Sequence, residues 1–181
     1  FVAPYLLTKD ASYVAGNTSK IPTTSGTVTL SNGKAVLTND GIIKYTIDNT
    51  IDTGNEFSVK FKWTASYDGA PGSYVGLWSM GSSGTTNLAQ IFHTKTSGEL
   101  KAIVSVGTVK TVELIYVYSP VNGTEYTIEL DVDMTNGANC LFIDGALVAS
   151  STTTGNRTAT ANKLWIGSNI NAAMSGTGSF R

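Results

Sequence analysis

Between Phe57 and Thr64 the chain alternates strictly. Phe57, Val59, Phe61 and Trp63 fall on one side, and Ser58, Lys60, Lys62 and Thr64 on the other. A period of two puts such a run in a β-strand with one face buried and one wet. Glu125–Asp133 repeats the pattern, with Ile128, Leu130 and Val132 opposing Glu129, Asp131 and Asp133. Further strand-like runs are read at Thr27–Leu30, Lys34–Thr38, Ile42–Asp48, Tyr74–Met80, Leu88–His93, Leu100–Val106, Val112–Tyr118, Cys140–Ile143 and Lys163–Ser168. Turn signals recur about every 8–12 residues, which is the grammar of a sandwich or jelly roll. No long segment carries a helical period with caps. The pattern predicts an all-β, antiparallel two-sheet sandwich.

The turns are written in Gly, Asn and Asp. Asp144-Gly145 sits between two apolar runs, and a type I′ hairpin turn needs positive φ at both positions, which these residues accept. Ser31-Asn32-Gly33 reads as a second hairpin, and Asn39-Asp40-Gly41 as a turn between two separate strands. Residues 15–26, Ser66–Ser73 and Gly81–Thr86 read as surface loops. Phe1–Thr8 contains Pro4, which cannot donate to a ladder, so this run is expected at a sheet edge or as a lead-in.

The run LFIDGALVASSTT, followed by KLWIGSNINAAMSGTGSF, resembles the C-terminal half of a LamG-like, concanavalin A-like jelly-roll domain. IKYTIDNTIDTGNEFSVKFKWTAS, YVGLWSMG and GTEYTIELDVD fit earlier pieces in the same order, so the likeness spans roughly residues 41–180. It implies one such domain over residues 1–181. The chain opens at Phe1 without Met and stops at Arg181 inside strand-forming sequence, which reads as a piece of a longer polypeptide. If the last strand of the family is missing, one sheet is expected to present an unpaired edge.

Charged residues make up only 14% of the 181 residues and the net charge is −1. That balance argues against sequence-independent nucleic-acid binding, which needs cations to displace counterions. No apolar run reaches the ~18 residues of a membrane-spanning helix, so no membrane insertion is expected. Cys140 is the single cysteine, so no internal disulfide is possible; it reads as a small residue filling space in a strand. The Thr/Ser/Asn/Gly-rich composition leans towards an extracellular, cell-surface or virion-surface protein. Asn17, Asn122 and Asn156 each head an Asn-x-Ser/Thr sequon, open to glycosylation on a eukaryotic secretory route.

The sharpest catalytic candidate is Glu129-Leu130-Asp131-Val132-Asp133. Laminarinase-like hydrolases of the same fold carry Glu-x-Asp-x-Glu, and the resemblance maps Glu129 and Asp131 onto it, with Asp133 replacing the last glutamate. Four residues of strand separate Cα atoms by ~13 Å, while a retaining pair needs carboxyls ~5–5.5 Å apart. A solvated polar face is the plainer account, and no catalytic residue is assigned. His93 is the lone histidine, with no Gly-x-Ser-x-Gly elbow to serve, and reads as an ordinary strand residue. No metal site is assigned and no cofactor is expected, although LamG-like domains can hold a structural calcium; Asp68, Asp131 or Asp133 would supply its oxygens.

Aromatic residues are the better lead, because sugars present C–H faces to rings and hydroxyls to amides and carboxylates. Tyr67 and Tyr74 bracket the Ser66–Ser73 loop, with Asp68 beside them and Asn87 in an adjoining loop. Trp165 has the opposite parity to Leu164 and Ile166, so it is expected to leave the core. Tyr67, Asp68, Tyr74, Asn87 and Trp165 are therefore the candidate ligand contacts. The expected function is a non-catalytic carbohydrate-binding or adhesion module, with a glycan or glycoprotein as partner. Two alternatives stand beside it: a structural module of a virus capsid or fibre touching other subunits, and a glycoside hydrolase using Glu129 and Asp133.

Overall fold

A computed structural model describes residues 23–31, 34–52, 54–81, 88–157, 160–168, 174 and 176–181. The readings made for Phe1–Thr8, Asn17, the Asn32-Gly33 turn, residues 82–86 and Asn87 lie outside these residues. Within them twelve strands appear and no helix: β1 (Thr23–Ser31), β2 (Lys34–Asp52), β3 (Glu56–Thr64), β4 (Val75–Gly81), β5 (Ala89–His93), β6 (Glu99–Val106), β7 (Val109–Val117), β8 (Glu125–Asp133), β9 (Asn139–Ile143), β10 (Ala146–Ser151), β11 (Thr160–Ile166) and β12 (Gly178–Phe180). Every strand pairing is antiparallel.

The hydrogen-bonded order is β10-β9-β8-β3-β12-β2-β11-β4-β5-β6-β7, with β1 added on β2. This reads as one ladder because β2 belongs to both layers of the sandwich. Its first half, around Ala35–Leu37, pairs with β12 and leads into the β3-β8-β9-β10 layer. Its second half, around Ile43–Thr46, pairs with β11 and leads into the β4-β5-β6-β7 layer. At the far end β7 touches β9 and β10 across the gap, so the layers face each other. Between them lies one cluster of buried apolar side chains, including Leu37, Trp63, Leu77, Ile128 and Leu164. Burying each such side chain contributes about 1.5–3 kcal/mol, and this driving force selects the sandwich.

The alternation read along β3 is what the structure shows. Trp63 is fully buried, and Phe57, Val59 and Phe61 pack against the core, while Ser58, Lys60 and Lys62 are exposed. Asp144 and Gly145 have φ of 51° and 80°, the left-handed pair that the β9–β10 hairpin requires.

Two readings are corrected. Asn39-Asp40-Gly41 does not end a strand; β2 runs through it. On β1, Gly26 alone stands opposite these three residues, because Ser25 pairs Ile42 and Thr27 pairs Thr38. The extra residues form a bulge, with Asn39 at φ 49° and Asp40 at φ 60°. A bulge bends a strand, and here it turns β2 from one layer into the other. The expected open edge at the final strand is also absent. β12 lies between β2 and β3, and Phe180 is buried inside that sheet.

Candidate functional site

The bulge of β2 projects into a cleft of about 260 Å³, lined among the described residues by Asn39, Asp40, Ser66, Tyr67, Pro71, Gly72, Ser73, Val75, Gly176 and Thr177. Three stretches far apart in sequence meet there: the bulge, the loop between β3 and β4, and the lead into β12. Gly176 is what lets them approach. A Cβ at this position would run into the Gly41 carbonyl and sit 2.7 Å from the Gly167 carbonyl, so no larger residue fits. Across the cleft the Ser66 and Thr177 hydroxyls share a hydrogen bond of 2.6 Å. The rim thus carries an amide, a carboxylate and hydroxyls. Two of those side chains rise from backbone that L-residues seldom adopt; such strain persists only where the surroundings enforce it.

One wall is aromatic and rigid. Tyr67 packs on Trp63 with ring centroids 5.9 Å apart and stacks on His93 at 5.7 Å. His93 meets Tyr118 at 6.2 Å, Tyr118 meets Tyr126 edge-on at 5.3 Å, and Tyr126 returns to Trp63 at 6.2 Å. The circuit is closed, and His93 is its polar centre. Its Nε2 lies 3.1 Å from the Tyr118 carbonyl, which can only accept, so Nε2 carries the proton. Nδ1 therefore accepts from the Tyr67 hydroxyl at 2.9 Å. Desolvation lowers the His93 pKa, against hydrogen bonds to the Gly98 and Tyr118 backbone, which act in the opposite sense. Burial likewise raises the Tyr67 phenol well above its ordinary range. The wall is neutral at physiological pH and fixed in orientation.

The candidates named from sequence are scattered. Tyr67 lines the cleft, half-buried, as a wall rather than a free loop contact. Asp68 faces away and accepts the backbone N–H of Asn122 at 2.8 Å, bracing two loops. Tyr74 is 41% exposed, with its ring 6.3 Å from Phe92 and the Lys95 ammonium 5.8 Å from its centroid. Trp165 does leave the core as its parity predicts; it is half-buried, with the Lys44 Nζ 4.8 Å above its ring. Neither Asp68, Tyr74 nor Trp165 lines the cleft. Sequence reasoning missed Asn39, Asp40, Ser66 and Thr177. The available signal was Asn39-Asp40-Gly41, whose chemistry suits a bulge as well as a turn. His93 lies in β5 as a buried strand residue, with both of its nitrogens engaged.

The carboxylates of β8 are occupied. Glu129 pairs with Lys60 at 2.7 Å and Asp131 accepts from the Ser58 hydroxyl at 2.5 Å, each directly across the strand register. Asp133 caps the following turn, accepting from the Asn136 backbone at 2.9 Å and its amide at 2.8 Å. Hydrogen bonds to Asn136 hold its carboxyl below the usual range, the reverse of what a general acid needs. Asp68, Asp131 and Asp133 each have a separate protein partner. Among the described residues no three His, Cys, Asp or Glu side chains gather as a metal site would require. Among them, too, no helix is long and apolar enough to cross a membrane.

No protein-family model and no curated protein matches the sequence. Solved structures do match. A botulinum neurotoxin type C structure, whose cell entry depends on interaction with two ganglioside molecules, aligns with TM-score 0.69 at 12% identity, over 92% of this chain and 42% of that one. Domains LG4-5 of the mouse laminin alpha1 chain align with TM-score 0.60 at 13% identity, over 81% of this chain and 38% of that one. The CBM40 of Ruminococcus gnavus IT-sialidase, bound to alpha2,3 sialyllactose, aligns with TM-score 0.57 at 12% identity, over 89% and 86%. The chain therefore spans less than half of the toxin and laminin chains. At these identities the likeness establishes the fold alone, an antiparallel jelly-roll β-sandwich.

Proposed function

We propose that this chain is a non-catalytic glycan-binding module acting outside the cell, on a cell surface or on a virion, and that its site is the cleft beside the β2 bulge. The observation that carries this reading is the pairing of a preformed polar rim, set by Asn39 and Asp40 in left-handed backbone, with the fixed ring of Tyr67. A sugar needs both: a ring or apolar edge against its C–H face, and amide, carboxylate or hydroxyl partners for its rim. Holding those groups in place beforehand removes part of the ordering cost of association. Support comes also from neighbours of the same fold whose structures concern gangliosides and sialyllactose. A small cleft gives weak single-site affinity, so repeated copies or repeated epitopes would supply avidity.

The test is a glycan array followed by titration calorimetry on the hits. Asn39→Gly keeps the backbone free to hold positive φ while deleting the amide, and is expected to weaken binding about fivefold, the net worth of one hydrogen bond. Full binding by Asn39→Gly and Tyr67→Ala alike would place the site elsewhere.

A second reading, a structural module of a capsid or fibre, rests on β7. This strand ends its layer and exposes Val109, Ile115 and Val117, the last at 70%. Edge strands with apolar side chains pair readily with another chain. Concentration-dependent assembly in light scattering, abolished by Val117→Lys, would favour it.

A further inference from the structure

We infer that the cleft selects neutral glycans and disfavours sialylated or otherwise acidic ones; this rests on the glycan-binding reading above. The charge inventory of the lining is one-sided. Asp40 supplies a carboxylate, Asn39 an amide, and Ser66, Ser73 and Thr177 hydroxyls, while no lysine or arginine is among the described residues that line it. The cations nearest in sequence to the cleft-forming segments are engaged elsewhere. Lys44 sits over the Trp165 ring, and Lys34, Lys62 and Arg181 all pair with Glu125. A carboxylate only accepts, and its two oxygens match a pair of neighbouring sugar hydroxyls. The same group repels a ligand carboxylate at close range, where partial exclusion of water strengthens the interaction. The aromatic wall offers an acidic sugar nothing in return, because His93 is already bonded at both nitrogens.

The cleft thus differs in kind from a sialoside site, although the fold is shared with a domain whose structure holds sialyllactose. Its ligand class is an electroneutral oligosaccharide presenting a vicinal diol. Asp40 is then a specificity-determining residue, acting by attraction for hydroxyls and by repulsion of acids.

The experiment pairs neutral oligosaccharides with their sialylated counterparts, lactose against α2,3- and α2,6-sialyllactose first, and measures each by calorimetry with the whole chain. At low salt the neutral member is expected to bind at least about tenfold more tightly, and the gap is expected to shrink as ionic strength rises. Asp40→Asn keeps a residue that tolerates positive φ, so the bulge should persist; it is expected to narrow the gap by admitting the sialylated member. Tighter binding of the sialylated member, lost in Asn39→Gly, would overturn the charge selection while leaving the glycan-binding reading intact. Failure of every neutral and acidic glycan to bind would overturn that underlying reading. An unchanged preference in Asp40→Asn would overturn the role given to Asp40.

Discussion

The outer face of β3 and β8 and the cleft beside the β2 bulge are both polar, yet the acids of the face are paired while Asn39 and Asp40 of the cleft stand exposed. On the β3–β8 face Glu125, Glu129, Asp131 and Asp133 each have a partner, which for Glu129 and Asp131 lies directly across the register. Glu129 holds Lys60, and Glu125 gathers Lys34, Lys62 and Arg181 at 3.2, 3.1 and 2.7 Å. Desolvation pushes the Glu125 carboxyl up, but its hydrogen bonds to the three cations outweigh this and hold it at about 2. The acids of this face are thus tied to neighbours within the protein. In the cleft, Asn39 and Asp40 stand exposed on strained backbone, beside a ring whose own hydroxyl is already committed inward. The lesson concerns which polar residues count. Three carboxylates in a row attract attention in a sequence, but recognition depends on groups that the fold has positioned and left unspent.

The strongest way to break that contrast is to attack the floor of the cleft. Gly176→Ala would force a methyl into the Gly41 carbonyl, so the lead into β12 must shift. A loss of about 2–4 kcal/mol is expected, read as a Tm fall of roughly 5–10 °C, together with loss of glycan binding.

A smaller effect should come from acid acting on the wall. The folded His93 pKa lies below 6.5, so the folded state resists the proton that the unfolded chain takes up. Stability from this group is complete above pH 6.5 and declines as pH falls below it towards the lowered folded value. Denaturant melts at pH 7 and pH 5 should show this decline in the wild type and a smaller one in His93→Gln. Equal declines would remove His93 from the account.

The smallest effect belongs to the saturated face. Glu129→Gln exchanges an exposed ion pair for a neutral contact and should cost less than about 1 kcal/mol. Glycan binding should be unchanged. Loss of a reducing-sugar-releasing activity in this variant would revive the hydrolase alternative.

What was legible in the sequence depended on how local the determinant was. The alternation of β3 and β8 and the Asp144-Gly145 hairpin are decided within a few residues, and each appears where it was read. β4 and β5 gave weaker signals because all of their residues are buried, so a polar face is missing from VGLWSMG and AQIFH. The cleft was illegible for a different reason. Asn39-Asp40-Gly41 asks for positive φ in a turn and in a bulge alike, and only the register with Gly26 decides between them. Nor does any local pattern bring the bulge to Tyr67 and Thr177, which meet through long-range pairing. The aromatic emphasis found Tyr67, but it also favoured Tyr74 and Trp165, whose rings sit against Phe92 and beneath Lys44.

Sharing β2 between the two layers has a price during synthesis. The ribosome delivers β2 early, whereas the strands that flank its inner edge, β11 and β12, emerge after most of the chain. At about 5–20 residues per second, a long stretch of unpaired main chain waits many seconds for its neighbours. Holdase chaperones have an obvious target in that interval, and truncation before residue 160 should give a product that collects in inclusion bodies.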